Sequence, residues 1–271
     1  GAPLIVAGQF IRLEGSEPRS FGLGRFQVKL ARLSSQGVGF RRVVSRVTPG
    51  FRGVADGQAR FITLEGVDGA GTTTQVSQLA AALRARSRAV RDTREPSSGP
   101  VGALLRLFLT GRLVTPGQLG MRAPSWKTMA LMFAADRLDH IEAEIAPLLE
   151  EGVCVISDRY YHSSVAYQAL GANDLTAAIG WIRTLNLHAR KPDLTVVLDV
   201  SAEQAKERRR KRGGTELYDD DALQAELVQF YARLEQHFPG ENIVHVSGEG
   251  SIEQIASAVL SHVDAFRVDR G

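Results

Sequence analysis

The chain is 271 residues long, 44% hydrophobic and 23% charged, with a formal net charge of +3. That share of apolar residues builds a proper core and excludes a wholly disordered chain; the length fits one large α/β domain with an extension, or two small domains. No uninterrupted apolar run is long enough to span a bilayer, so no membrane partner is expected.

The charge is uneven. Residues 1–60 hold ten basic and three acidic residues, against 23 and 27 in the remainder. The excess of base therefore belongs to the first sixty residues and is no nucleic-acid footprint for the whole chain, so no nucleic-acid partner is expected. Residues 1–59 carry no sustained helical or strand period. Three readings compete there: an Arg-rich, acid-poor transit peptide, a basic tail touching nucleic acid or membrane, and sequence upstream of the natural start or plain disorder. The last is the expectation, which makes 1–59 a disordered or non-native extension and 60–271 the folded domain.

From Arg60 onward, apolar strand-like runs alternate with amphipathic stretches. A strand at Phe61–Leu64 precedes a helix over 73–87. A strand over 90–93 follows, then a helix over 101–110 and a long helix over 126–150. The run 153–156 reads as a buried strand, which makes its thiol, Cys154, structural. A lone cysteine forms no internal disulfide and fits a reducing, cytoplasmic setting. Helices over 163–170 and 174–188 lead to a strand over 194–200. Helices over 202–212 and 220–237, a strand over 243–246 and a helix over 252–266 complete the chain. Strands separated by helices imply right-handed crossovers: an α/β fold, a doubly wound parallel sheet with helices on both faces. In such sheets ligands sit at the carboxyl ends of the strands.

Residues 61–74 read as strand, glycine-rich turn and helix start. Gly66 and Gly71 have the spacing of a phosphate loop, and Thr73 stands at its hydroxyl position. The glycines let backbone N–H groups converge on phosphate oxygens, and the helix N-terminus adds partial positive charge. Thr72 breaks the pattern, because a lysine belongs there. A hydroxyl donates a hydrogen bond but neutralises no charge, a loss worth about 3 kcal/mol of transition-state stabilisation in a desolvated site. The bland alternative for this segment is a structural turn with a helix cap.

Five segments, taken together, resemble the bacterial thymidylate kinase family over about residues 60–265. They are EGVDGAGTTTQ at 65–75, Thr93-Arg94-Glu95-Pro96, Phe133-Ala134-Ala135-Asp136-Arg137, Asp158-Arg159-Tyr160 with Ser163 to Gln168, and Pro192-Asp193-Leu194 leading to Leu198-Asp199-Val200. The resemblance implies the P-loop NTP hydrolase fold and a loop in which Gly66, Asp68, Gly69, Ala70, Gly71, Thr72, Thr73 and Thr74 hold the ATP phosphates. Thr73 and Asp158 are the implied Mg²⁺ residues. Arg159 resembles the arginine that grips the acceptor phosphate, and Arg106 a second clamp, with a solvated helix face as its alternative. Phe133 and Arg137, four apart on a helix, share a face. In the family the ring stacks on thymine and the guanidinium donates to O4; otherwise they would read as a core Phe and a surface Arg. Ser164 and Gln168 resemble pyrimidine-edge contacts, Tyr167 a residue packed near C2′, and Asp68 and Glu95 residues near the sugar 3′-hydroxyl, the acceptor phosphate or the metal. Arg94 either contacts phosphate or makes a structural ion pair.

Residues 208–214 are a basic run ending in two glycines, and correspond to the family's lid, expected over about 208–218. Arg208 and Arg212 share one helical face, and one of them is expected to supply the charge missing at Thr72, although the sequence after Gly214 departs from the usual lid. The function implied is ATP-dependent, Mg²⁺-supported phosphorylation of dTMP to dTDP by a homodimer. The alternatives are another nucleotide acceptor, or a catalytically degenerate nucleotide-binding protein. A nucleoside acceptor would not need two arginine clamps.

Overall fold

The computed structural model describes residues 4–6, 9–11, 31–34, 37–40, 59–118, 120–212, 217–218 and 220–266. The chain divides into two units, Gly1–Phe51 and Arg52–Gly271. Within the first, β1 (Leu4–Val6) pairs antiparallel with β2 (Gln9–Ile11), and β3 (Ala31–Ser34) with β4 (Gly37–Phe40). The rest of the segment expected to be an extension lies outside the described residues.

The second unit is built on five parallel strands, β5 (Phe61–Glu65), β6 (Val90–Arg94), β9 (Cys154–Asp158), β10 (Leu194–Asp199) and β11 (Ile243–Ser247). Their order is β11-β10-β5-β9-β6. β5 and β9 are buried along their whole length, as near-continuous apolar runs covered on both faces must be. Burial pushes the Cys154 thiol up to about 11, so it is an inert core group.

The connections are helical: α1 (Thr72–Ala85) after β5, α2 (Pro100–Leu109) and α3 (Trp126–His140) after β6, α5 (Tyr161–Ala169) and α6 (Leu175–Leu185) after β9. After β10 come α7 (Ala202–Arg212), α8 (Asp221–Tyr231) and α9 (Leu234–His237), and α10 (Ile252–Ala265) follows β11. The long helix expected over 126–150 is interrupted by a π-helical turn at Ile141–Ile145 before α4 (Ala146–Glu150). Pro147 is the reason, since it has no N–H for the carbonyl four residues back and its ring crowds that carbonyl. A short ribbon, β7 (Thr115–Gly117) with β8 (Gly120–Arg122), joins α2 to α3, where no strand was expected. Among the described residues no helix is long and apolar enough to cross a membrane.

Candidate active site

The carboxyl ends of β5 and β9 lie side by side, with Leu64 in register with Asp158. The glycine-rich turn after β5 therefore faces the Arg159–Tyr160 turn after β9. Two glycines are required by this arrangement. Gly69 has φ +93°, and a Cβ there would lie 2.4 Å from the Ala205 carbonyl oxygen; Gly71, the N-cap of α1, has φ +98°. Helix α7 thus packs directly on the turn.

Thr73 Oγ1 donates to Asp158 Oδ2 at 2.5 Å. Asp158 Oδ1 is buried without a hydrogen-bond partner. Among the described residues no group of three or more His, Cys, Asp or Glu is arranged for a metal. One hydroxyl and one unsatisfied carboxylate oxygen nevertheless fit a hard divalent cation that takes its other ligands from phosphate and water.

Thr72 opens α1 and is only 6% exposed. Positive charge reaches this turn from α7. Arg208 Nη1 donates to the carbonyls of Ala70 (3.2 Å) and Gly69 (3.4 Å), and Nη2 to that of Gly248 (2.8 Å). The next residue, Arg209, points about 100° away around the helix. It is buried and donates to the Asp68 carbonyl at 3.1 Å and to Asp221 at 3.1 Å. Lys206 pairs with Asp221 and Lys211 with Glu207. The side chain of Arg212 lies outside the described residues.

A cavity of about 430 Å³ opens beside the turn. Its walls include Asp68, Gly69, Gly71, Thr72, Thr73, Thr74, Glu95, Phe133, Arg137, Arg159, Ser164, Tyr167, Gln168 and Arg208. Arg159 is held in the left-handed region, at φ +69°. Its Nη2 donates to Asp68 Oδ1 at 2.6 Å and Nη1 to the Gly66 carbonyl at 2.7 Å, with the Tyr167 ring 5.1 Å away. Burial works against its charge, but Tyr167, Asp68, Tyr231 and Asp158 together raise its pKa above the ordinary value, so it stays cationic.

Arg137 is 1% exposed. Its Nε and Nη2 donate to Glu95 Oε2 at 2.9 and 2.5 Å, Nη2 also to Ser164 Oγ at 2.9 Å, and Nη1 to Asn186 Oδ1 at 2.5 Å. The expected surface alternative for Arg137 is thus replaced by a buried, hydrogen-bonded charge. Phe133 lies on the same helix face and packs on the small cluster of Leu105, Phe108 and Met129. Gln168 Nε2 reaches the Tyr218 hydroxyl at 3.4 Å, and its Oε1 is buried without a partner.

Two arginines stand apart from the cavity. Arg106 Nη1 donates to the carbonyls of Pro96 (3.0 Å) and Ser97 (2.5 Å), so it braces the turn behind Glu95. Arg94 is exposed at the end of β6. Conversely, Tyr160 and Ser163, which lie in the matched segments without an assigned role, and Tyr218, at the end of the expected lid, line the cavity. Gln224, which nothing in the sequence singled out, bonds Asp68 Oδ2 at 3.2 Å. Tyr218 and Gln224 come from the stretch after the lid glycines, where no spacing rule links them to the loop.

Behind the turn, Glu65 is fully buried and accepts from the Tyr160 N–H (2.8 Å) and Ser163 Oγ (2.6 Å). His162 lies between it and Glu241, with Nε2 at 2.9 Å from Glu241 and Nδ1 at 3.6 Å from Glu65. Burial disfavours the imidazolium, but the hydrogen bond to Glu241 and the nearby Glu65 carboxylate outweigh it and raise the pKa above 6.5. A raised folded-state pKa contributes stability that is fully present below 6.5 and disappears as pH rises through the folded value. Urea midpoints of the wild type minus those of His162→Gln should therefore shrink as pH increases above 6.5. A difference independent of pH would rule out a charged His162.

The family model for thymidylate kinase matches residues 64–259. A probable thymidylate kinase of Pyrococcus horikoshii is 36% identical over 204 residues, covering 75% of this chain and 95% of its own. That of Thermococcus kodakarensis is 36% identical over 208 residues, covering 76% and 98%. A thymidylate kinase of Leifsonia xyli subsp. xyli is 36% identical over 212 residues, covering 75% and 94%.

Proposed function

Because the chain belongs to the thymidylate kinase family, we infer that it transfers the γ-phosphoryl group of ATP to the 5′-phosphate of dTMP, giving dTDP and ADP. The convergence of Arg159, Arg208 and the glycine-rich turn on one cavity carries this assignment. Phosphoryl transfer passes through a loose transition state, so positioning and charge neutralisation provide nearly all of the catalysis.

The acceptor enters the cavity with its base between Phe133 and Arg137. The ring stacks on thymine, one guanidinium N–H donates to O4, and Ser164 and Gln168 meet the pyrimidine edge. Tyr167 packs against the deoxyribose where a ribose hydroxyl would project. Asp68 and Glu95 lie toward the sugar and acceptor phosphate, which Arg159 grips as a fork. Arg106, by bracing Pro96 and Ser97, supports the position of Glu95. On the donor side, backbone N–H groups of residues 66–74 and the start of α1 cradle the ATP phosphates, and Arg208 neutralises charge that no lysine meets at Thr72.

Thr73 and Asp158 would hold Mg²⁺, which supplies charge neutralisation across the donor phosphates. Asp158→Asn is expected to raise the Mg²⁺ concentration for half-maximal rate by about tenfold or more. An unchanged Mg²⁺ titration of the rate would remove Asp158 from the metal site.

A coupled ADP-release assay with dTMP, dUMP, dCMP and thymidine tests the assignment, with dTMP expected as the preferred acceptor. Thr72 favours one rival, a degenerate nucleotide-binding protein; ATP binding without turnover on any acceptor would establish it. The homodimer expected from the family is supported by exposed apolar side chains on α2 and α3, namely Leu104, Leu107 and Leu131. A sedimentation-equilibrium mass of one chain would exclude it.

A further inference from the structure

We propose that Asn186 is a positioning residue that sets acceptor-base selectivity by aiming the Arg137 guanidinium. The inference rests on the base-reading role of Arg137 given above. Asn186 caps the carboxyl end of α6. It is not part of the cavity wall, so it acts through Arg137.

The amide of Asn186 is oriented by its own helix. Its Nδ2 donates to the Ile182 carbonyl at 2.8 Å, which turns Oδ1 toward Arg137 Nη1 at 2.5 Å. The opposite flip would set an NH₂ group against a guanidinium and a carbonyl against a carbonyl, both repulsive. Glu95 and Ser164 hold the other two edges of the guanidinium. Tyr160 lies against it, with the ring centroid 5.1 Å from the guanidinium carbon.

A guanidinium has five N–H groups. Nε–H and both Nη2 N–H groups are taken by Glu95 and Ser164, and Asn186 takes one on Nη1. One N–H on Nη1 remains for a ligand in the cavity. A donor of fixed direction pairs with the 4-oxo oxygen of thymine or uracil. It opposes the 4-amino group of cytosine, which is itself a donor. Without Asn186 the guanidinium is held only on its Glu95 and Ser164 edges, and the aim of that last N–H is lost.

The proposal is tested with full-length wild type, Asn186→Ala and Asn186→Asp, by the KM and kcat of dTMP and dUMP and the competitive Ki of dCMP. Asn186→Ala should raise KM for both 4-oxo substrates by about tenfold, the scale of a hydrogen bond to a charged group. It should leave kcat within about twofold and the dCMP Ki unchanged. Asn186→Asp, which keeps an acceptor facing Arg137 but loses the donor to the Ile182 carbonyl, should recover only part of the dTMP preference. Thermal midpoints of each variant separate a fold defect from a recognition defect. Should Asn186→Ala weaken all three nucleotides equally, or leave KM unaltered, Asn186 is structural only and the proposal is overturned. A wild type that binds dCMP as well as dTMP would instead refute the base-reading role of Arg137.

Discussion

Arg208→Ala is expected to lower kcat by about a hundredfold to a thousandfold, with the KM for dTMP little changed. The loop has a neutral, buried Thr72 where charge is needed, and the Arg208 guanidinium lies on the carbonyls of Gly69 and Ala70. In a site closed to water, a preorganised cation beside the transferring phosphoryl group strengthens its contacts most in the transition state. The loss therefore falls on kcat and not on acceptor binding. Thr72→Lys should recover part of the rate in the Arg208→Ala background, because it returns a point charge to the same phosphates from the other side. Single-turnover rates at saturating ATP and Mg²⁺ are the measurement. Wild-type turnover by Arg208→Ala would show that the charge comes from elsewhere, with Arg212 the next candidate.

Arg159→Ala carries the second large effect, a fall of about a hundredfold or more in kcat/KM for dTMP. Arg159 is fixed by the Gly66 carbonyl, Asp68 and Tyr167 before any substrate arrives. Little ordering cost remains when a phosphate binds, and that preorganisation is lost with the side chain. Arg159→Lys should rescue only weakly, because an ammonium cannot span Asp68, Gly66 and a phosphate as a planar fork does. The Ki of thymidine, which has no phosphate, is the internal control and should change little. Equal weakening of thymidine and dTMP would mean that Arg159 shapes the cavity without reading the phosphate.

Local features of the site were legible because short-range geometry fixes them. The spacing of Gly66, Gly71 and Thr73 dictates a turn that opens a helix, whatever the rest of the chain does. Phe133 and Arg137 share a face because a helix repeats every 3.6 residues. Asp158 at the end of an apolar strand was placed beside the loop by the rule that parallel sheets gather their ligand residues at one end. The helix expected over 126–150 went astray at Pro147, where one missing N–H outweighed an otherwise continuous pattern.

Contacts between distant elements were not legible. Helical periodicity paired Arg208 with Arg212 but could not say which turn of α7 would press on the loop. The close approach of Ala205 to Gly69 decided that, setting Arg208 on the loop carbonyls and turning Arg209 toward Asp68. In the same way Arg137 read as a surface or base-contacting residue, and only packing revealed Glu95, Ser164 and Asn186 around it.

The sequence alone thus determined the strand–turn–helix of the phosphate loop, the alternation that makes a parallel sheet, and the absence of a lysine at Thr72. These follow from covalent spacing, glycine's conformational freedom and side-chain periodicity, each acting over a few residues. The tertiary structure decided which arginine lies on the loop carbonyls and what holds Arg137 in place. Those outcomes depend on how helices far apart in the chain stack over the sheet ends, and no spacing within one element encodes that.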